Sequence, residues 1–244
     1  MLILAIDTTT RGGSVALADD EAVRALVPGD PSRTHGERLP GEIARVLADA
    51  GVGRRAIDLV AVASGPGAFT GLRIGLATAQ GLAMALDRPV VGVPSLDALA
   101  WGALSRAPGA PGERILVPWM DAQRGEVFAA VYKTGQGATG VVPWTVVEPA
   151  LTAPPAVLLG RWLARLAGHP ALFVGDAVSR DAGDIARAGA GAWQVAAPEA
   201  LAPAIAQLGR RMAAAGQAGP PHALAPIYVR RPDAEIERER RGAR

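Results

Sequence analysis

The chain has 244 residues, half of them apolar, with 25 basic against 23 acidic side chains and no cysteine. That length supports one large domain or two lobes with ample core, and the lack of cysteine removes disulfides, thiolate metal sites and cysteine nucleophiles together. No apolar run reaches membrane-spanning length and no basic region precedes the first strand, so a cytoplasmic chain without a secretory signal or membrane contact is expected. Residues 230–244 hold six arginines against Asp233, Glu235, Glu237 and Glu239, a net of +2 that equals the formal charge of the whole chain. The body is therefore balanced at zero and offers no electrostatic footprint for a duplex or a tRNA. The mixed-sign stretch 233–244 reads as a frayed, solvated helix end.

In chain order, residues 2–6 form an apolar strand ending on Asp7, followed by Thr8-Thr9-Thr10-Arg11-Gly12-Gly13 and a returning strand at 14–18. A third strand follows at about 21–26. Asp7 beside hydroxyls and a glycine turn suits a phosphate or its metal, but Asp, Thr and Gly are also ordinary turn residues; both readings stand. A helix spans 37–50, ended by Gly51, and His35 just ahead of it reads as a cap rather than a metal ligand. Residues 57–63 read as a buried parallel strand. They lead into Ser64-Gly65-Pro66-Gly67-Ala68-Phe69-Thr70-Gly71-Leu72-Arg73-Ile74-Gly75, a glycine-rich turn that opens a helix over 72–86. The turn lacks the Gly-Lys-Ser/Thr ending of a P-loop. The helix is apolar around most of its circumference, with Gly71, Gly75, Thr78, Ala79 and Leu82 on one stripe. Such a helix is buried on more than one side, against the sheet and against a second helix of this chain or a partner.

A strand at 89–93 and a helix from 96 to about 104 close the first half, and the Pro/Gly-rich run 107–112 marks the lobe boundary. The pattern then repeats. A strand at 115–120 ends at Asp121-Ala122-Gln123-Arg124-Gly125, a strand returns at 126–132 and a third follows at about 141–147. Asp7 aligns with Asp121 and Arg11-Gly12 with Arg124-Gly125, which indicates a duplicated α/β unit. Further on, the pattern predicts a short helix at 160–167, a strand at 171–174 and a long helix at 198–215 with Leu201, Ile205, Leu208 and Met212 at core spacing. Tyr228 and Arg230, in a short final segment, either anchor the tail or touch a partner.

Four stretches together resemble the TsaB (YeaZ) family: Ile3-Leu4-Ala5-Ile6-Asp7-Thr8-Thr9, the run from Gly65 to Ala77, Asp121-Ala122-Gln123-Arg124-Gly125-Glu126-Val127-Phe128, and Tyr228-Val229-Arg230. That family is the bacterial subunit of the machinery that makes threonylcarbamoyladenosine beside the tRNA anticodon. The resemblance implies an α/β chain with two ribonuclease-H-like lobes of the actin/sugar-kinase/heat-shock ATPase (ASKHA) fold. The lobes would be residues 1–106, with the partner-binding helices, and a smaller 107–221, followed by a terminal segment and tail at 222–244. The catalytic sister subunit, TsaD, binds metal through His-x-x-x-His after the equivalent strand. Here Ser95 and Leu99 hold those positions, and neither leucine nor a neutral serine replaces imidazole. No catalytic residue and no metal site are therefore expected.

By resemblance the chain is a non-catalytic scaffold that pairs with a TsaD-like subunit. A TsaE-like ATPase and tRNA would join through the assembly, and alone the chain would form a homodimer. The pairing surface is expected on the two first-lobe helices, through Gly71, Gly75, Thr78, Ala79, Leu82 and Leu86 with Leu39 and Ile43. Gly75→Arg or Ala79→Arg should then leave the lobe folded and abolish pairing. No cofactor is required, with weak ATP or ADP binding expected at most at Asp7, Thr8, Thr9, Thr10 and Asp121. The rival reading, an active ATPase or kinase of this fold, would use those same residues, although Asp7 lacks a lysine or glutamine partner and Lys133 is the sole lysine. A protease reading has neither a zinc ligand set nor a Ser/His/Asp arrangement behind it.

Overall fold

Alternation of large and small apolar residues decides which way each face of the first sheet looks. In the computed structural model, which describes residues 1–20, 22–106, 113–135, 140–166, 168–197 and 199–230, strand β1 (Leu2–Asp7) turns Leu4 and Ile6 to one side and Ile3 and Ala5 to the other. β4 (Leu59–Gly65) repeats this with Val60 and Val62 against Ala61 and Ala63. With β2 (Ser14–Asp19), β3 (Ala22–Pro28) and β5 (Val90–Pro94) they form a sheet in the order β3-β2-β1-β4-β5. The first three strands are an antiparallel meander. β4 and β5 run parallel to β1 and are reached through α1 (His35–Asp49) and α2 (Phe69–Leu86), since parallel neighbours need a crossover. α1 starts in a capping box, with the Thr34 N–H donating to Glu37 Oε2 at 2.9 Å.

The second half repeats this plan. β6 (Ile115–Asp121), β7 (Val127–Thr134), β8 (Trp144–Ala153), β9 (Ala171–Val174) and β10 (Trp193–Ala196) lie in the order β8-β7-β6-β9-β10. β6 to β8 are antiparallel, β9 and β10 parallel to β6, with α4 (Pro155–Leu166) and α5 (Val178–Ala188) as crossovers. Asp7 pairs opposite Ser14 and Asp121 opposite Val127, so the duplicated aspartates occupy the same place in each sheet. The Pro/Gly run 107–112 and the tail 233–244 lie outside the described residues.

Between the sheets lie α3 (Ser95–Arg106) and α6 (Ala202–Ala214), and here the sequence reading needs correction. The long helix grouped with the second lobe packs on the first sheet, against β1, β2, β4 and β5, while α3 reaches β6 as well as β4 and β5. The reason is size. Ala5, Ala16 and Ala61 line the inner face of the first sheet, and a Cβ on Gly209 would stand only 2.7 Å from that of Ala61. Small side chains on both surfaces admit the helix, and Ser14 Oγ accepts from the Ala202 N–H at 3.0 Å to seat its first turn. The sequence reading places no element over α5 or β10: the strand is only four residues long, and the helix, although amphipathic with Val178 and Ile185 buried, is short and carries Gly183 at its centre. No helix among the described residues is long and apolar enough to cross a membrane.

The layer between the sheets also holds a polar joint. The Tyr132 hydroxyl of β7 hydrogen-bonds the Asp97 carboxyl of α3, and its ring stacks on Trp144 with centroids 5.4 Å apart. Burial pushes the Asp97 carboxyl above its ordinary 3.8, with the Tyr132 hydroxyl opposing the shift. Burial, reinforced by the Asp97 charge, pushes Tyr132 upward too. Because the folded pKa of Asp97 is raised, the folded state holds the proton more tightly. The burial penalty is absent below the unfolded pKa and sets in as pH rises through the folded one. Asp97→Asn keeps an acceptor for Tyr132 and removes the charge. Urea titrations should show the variant more stable near neutrality by about 1–2 kcal/mol, with the advantage vanishing toward acid pH.

Candidate functional site

Asp7 ends β1 among three hydroxyls and serves its own turn. Its Oδ1 accepts from the Thr9 N–H at 2.8 Å and the Thr9 hydroxyl at 2.6 Å, and its Oδ2 accepts from the Thr10 hydroxyl at 2.9 Å. Thr10 Oγ1 in turn accepts from the Gly13 N–H at 3.0 Å. Asp121 repeats the motif: Oδ1 accepts from the Gln123 N–H at 3.2 Å, Oδ2 from Gln123 Nε2 at 2.9 Å, and Arg180 Nη1 adds a bond to Oδ1 at 2.9 Å. Both aspartates therefore close a local turn from the same place in their sheets. Of the two readings left open for Asp7, turn chemistry accounts for the observed contacts.

The two turns face a third carboxyl that sequence reading missed. Asp176, after β9, accepts from the Asp121 N–H at 2.8 Å. Burial pushes its carboxyl up, that N–H opposes the shift, and the charges of Asp121 and Asp7 add to it. The Gly175-Asp176 pair at a strand end was its only sequence signal. At the base of the first turn, His35 begins α1, and its Nδ1 accepts from Arg38 Nη2 at 2.8 Å. Burial, then the Arg38 charge, holds this imidazole below its ordinary value, so the ring is neutral and serves as a local hydrogen-bonding group. Among the described residues no group of three or more His, Cys, Asp or Glu side chains is arranged to hold a metal ion. Leu99 packs into the layer between the sheets, while Ser95, also buried, has no partner for its hydroxyl.

The expected pairing surface requires the largest correction. Gly71, Gly75 and Ala79 are buried in α2, and Leu39 and Ile43 of α1 are 1% and 8% exposed. All five face inward within this chain. The Thr8 hydroxyl donates to the Gly71 carbonyl at 2.8 Å. A Cβ at Gly71 would fall on the Thr8 carbonyl, one at Gly75 on the Thr8 hydroxyl and one at Gly67 on the Thr9 side chain. These glycines let the first turn sit directly on the helix, so an arginine at 75 or 79 would disrupt the lobe. Thr78, Leu82 and Leu86 are half-buried. The exposed stripe is one step further round: Arg73, Ala77, Gly81 and Ala85, with Met84 70% exposed. Both stripes carry small residues at four-residue spacing, and the amphipathic signal of this helix is too weak to separate them.

Gly75→Ala should lower stability by about 1–3 kcal/mol in urea unfolding, through overpacking against Thr8. The loss should shrink in a Thr8→Ala background, because the hydroxyl it meets is then gone. Gly81→Ala, on the open face, should instead raise stability by about 0.5–1 kcal/mol.

The family model for TsaD, tRNA N6-adenosine threonylcarbamoyltransferase, matches residues 17–167. The tRNA threonylcarbamoyladenosine biosynthesis protein TsaB of Escherichia coli is 42% identical over 133 residues, 54% of this chain and 55% of that protein. TsaB of Bacillus subtilis is 32% identical over 181 residues, covering 73% of this chain and 72% of that protein. The solved structure of YeaZ from Pseudomonas aeruginosa superposes with a TM-score of 0.72 at 27% identity, over 93% of this chain and 99% of that one. With the duplicated sheets, these matches identify the α/β architecture as the two-lobed ASKHA fold. The chain belongs to the TsaB/YeaZ family of the tRNA threonylcarbamoyladenosine biosynthesis pathway.

Proposed function

We propose that this chain is the non-catalytic partner of a TsaD-like subunit and docks through the outer faces of α1 and α2. The observation that carries the reading is the open face itself. Gly41, Ala44 and Ala48 on α1 and Ala77, Gly81 and Ala85 on α2 are exposed, as is Met84, so a partner's helices can approach both backbones closely. The inner faces of the same helices are filled by the first-lobe core, which leaves the outer faces free for a second protein. An obligate interface of this kind removes on the order of 2,000 Å² or more from water. On this reading the Ser95 and Leu99 positions carry no metal, the chain needs no cofactor of its own, and transfer chemistry belongs to the partner. A TsaE-like ATPase and tRNA then meet this chain within the assembly, and the same helix face supports a homodimer when the partner is absent.

The active ATPase reading has weaker support, because the carboxylate oxygens of Asp7 and Asp121 are engaged by their own turns and by Arg180. Weak nucleotide binding near these turns stays a secondary expectation, checked by calorimetry with ATP and magnesium.

Ala77→Arg and Gly81→Arg place a long charged side chain on the open face without entering the core. Ala77→Arg should retain the wild-type melting profile and Gly81→Arg should match or exceed it, and each should lose co-elution with the TsaD-like subunit on size exclusion, a drop of at least about tenfold in affinity. Normal co-elution of both variants would place the docking surface elsewhere.

A further inference from the structure

The chain after α6 returns to the first lobe and then crosses the mouth of the cleft between the sheets. Val90 and Gly219 exchange backbone hydrogen bonds at 3.0 Å in both directions. Gln80 Nε2 on α2 donates to the carbonyls of Pro221 and Leu224, at 3.1 and 3.2 Å. The Ile227 N–H donates to the Ser64 carbonyl at 2.7 Å. Tyr228 stacks on Phe69 at 5.7 Å, and Arg73 lies 4.1 Å above the Phe69 ring while its Nε donates to the Tyr228 hydroxyl at 3.2 Å. All these anchors belong to the first lobe. Two residues on, Arg230 Nη1 reaches Glu126 Oε2 of the second lobe at 3.0 Å. Beneath the segment lies a cavity of about 240 Å³, walled by Phe69 and Leu72 from one lobe, Gln123 and Phe128 from the other, and Tyr228 and Arg230 above.

We propose that residues 227–230 are a strap that closes this interlobe cavity, with the Arg230–Glu126 ion pair as its latch. The two ends of the strap differ in strength. The first-lobe end combines a backbone hydrogen bond, an aromatic stack and the hydrogen bond from Arg73 to the Tyr228 hydroxyl. The polar hold on the second lobe is one ion pair whose side chains are 26% and 32% exposed, so water and salt screen it, and beside it only Val229 packs on the layer between the sheets. When the strap opens, the latch yields first: the segment stays on α2, the cleft mouth widens about the fixed layer of α3 and α6, and the apolar walls at Phe69 and Phe128 become accessible. The half-exposed ring of Tyr228, 41% accessible, travels with the first lobe in both states. Access of a small apolar or planar ligand to the cavity is thereby set at the strap, by one screened ion pair and the packing of Val229, without unfolding of either lobe.

The chain contains no cysteine, so cysteines placed at the exposed positions Val23 and Val157 take a spin-label pair, one label per lobe, without side reactions. In the 244-residue chain, Arg230→Gln and Glu126→Gln should each broaden the inter-label distance distribution. Each should also raise binding of the dye anilinonaphthalene sulfonate about three- to fivefold, the change available from a partly exposed ion pair. High salt should move the wild type the same way, and the charge-swapped double variant Glu126→Arg with Arg230→Glu should restore both readouts. Distances and dye binding unchanged in both single variants would overturn the latch. So would failure of the charge swap to restore them, because the single variants would then be acting by damaging the fold.

Discussion

The hydrogen bond from the Thr8 hydroxyl to the Gly71 carbonyl locks the first turn of the chain onto the first turns of α2. It exists because three glycines, at 67, 71 and 75, leave no side chain between helix and turn. Much else hangs on that seam. It sets the rotation of α2 about its own axis, so Leu72, Leu76, Ala79 and Ala83 face the sheet while Ala77, Gly81 and Ala85 face outward. It also presents Phe69 and Arg73 to the C-terminal segment on one flank. On the other flank Ile74 comes close to Gly36 of α1. A helix held by close backbone approach has little freedom to rotate, and its outer face is accordingly a defined surface.

The duplication explains how two turns of different sequence serve one geometry. Asp7 and Asp121 each accept an N–H from two residues ahead, and each sits opposite the first residue of the returning strand. An aspartate whose oxygens accept bonds from its own turn has fewer lone pairs left for another partner. Burial first, and then the charges of Asp121 and Asp7, raise the Asp176 carboxyl where the two turns meet. The exchanged packing of α3 and α6 adds a shared hydrophobic layer, so the lobes are joined by a core and not by a linker alone. A strap at the cleft mouth works against that fixed base.

Sequence reading was strongest where a pattern had a single consequence. Strand alternation, the repeat of strand–Asp–turn–strand and the glycine-led helix located most of both sheets, with boundaries shifted by a few residues. It was weakest where two placements satisfy the same pattern. Gly71, Gly75 and Ala79 look no different in sequence from Ala77, Gly81 and Ala85, since small residues four apart suit an internal seam and a docking face equally. Tyr228 and Arg230 likewise suited a partner or the body. Their bonds to Arg73 and Glu126 answer that question in favour of the body.

By itself the sequence determined the duplicated α/β plan, the family and the absence of imidazoles at the Ser95 and Leu99 positions, because these depend on local periodicity and residue identity. Only the tertiary structure decided which stripe of α2 is buried, that α6 crosses to the first sheet, and that the C-terminal segment closes the cleft. Each of those rests on contacts between residues far apart in the chain, 63 positions for Thr8 with Gly71, 104 for Glu126 with Arg230 and 188 for Ser14 with Ala202. No local pattern encodes them, since packing between distant surfaces, and not propensity, selects among the orientations that one helix allows.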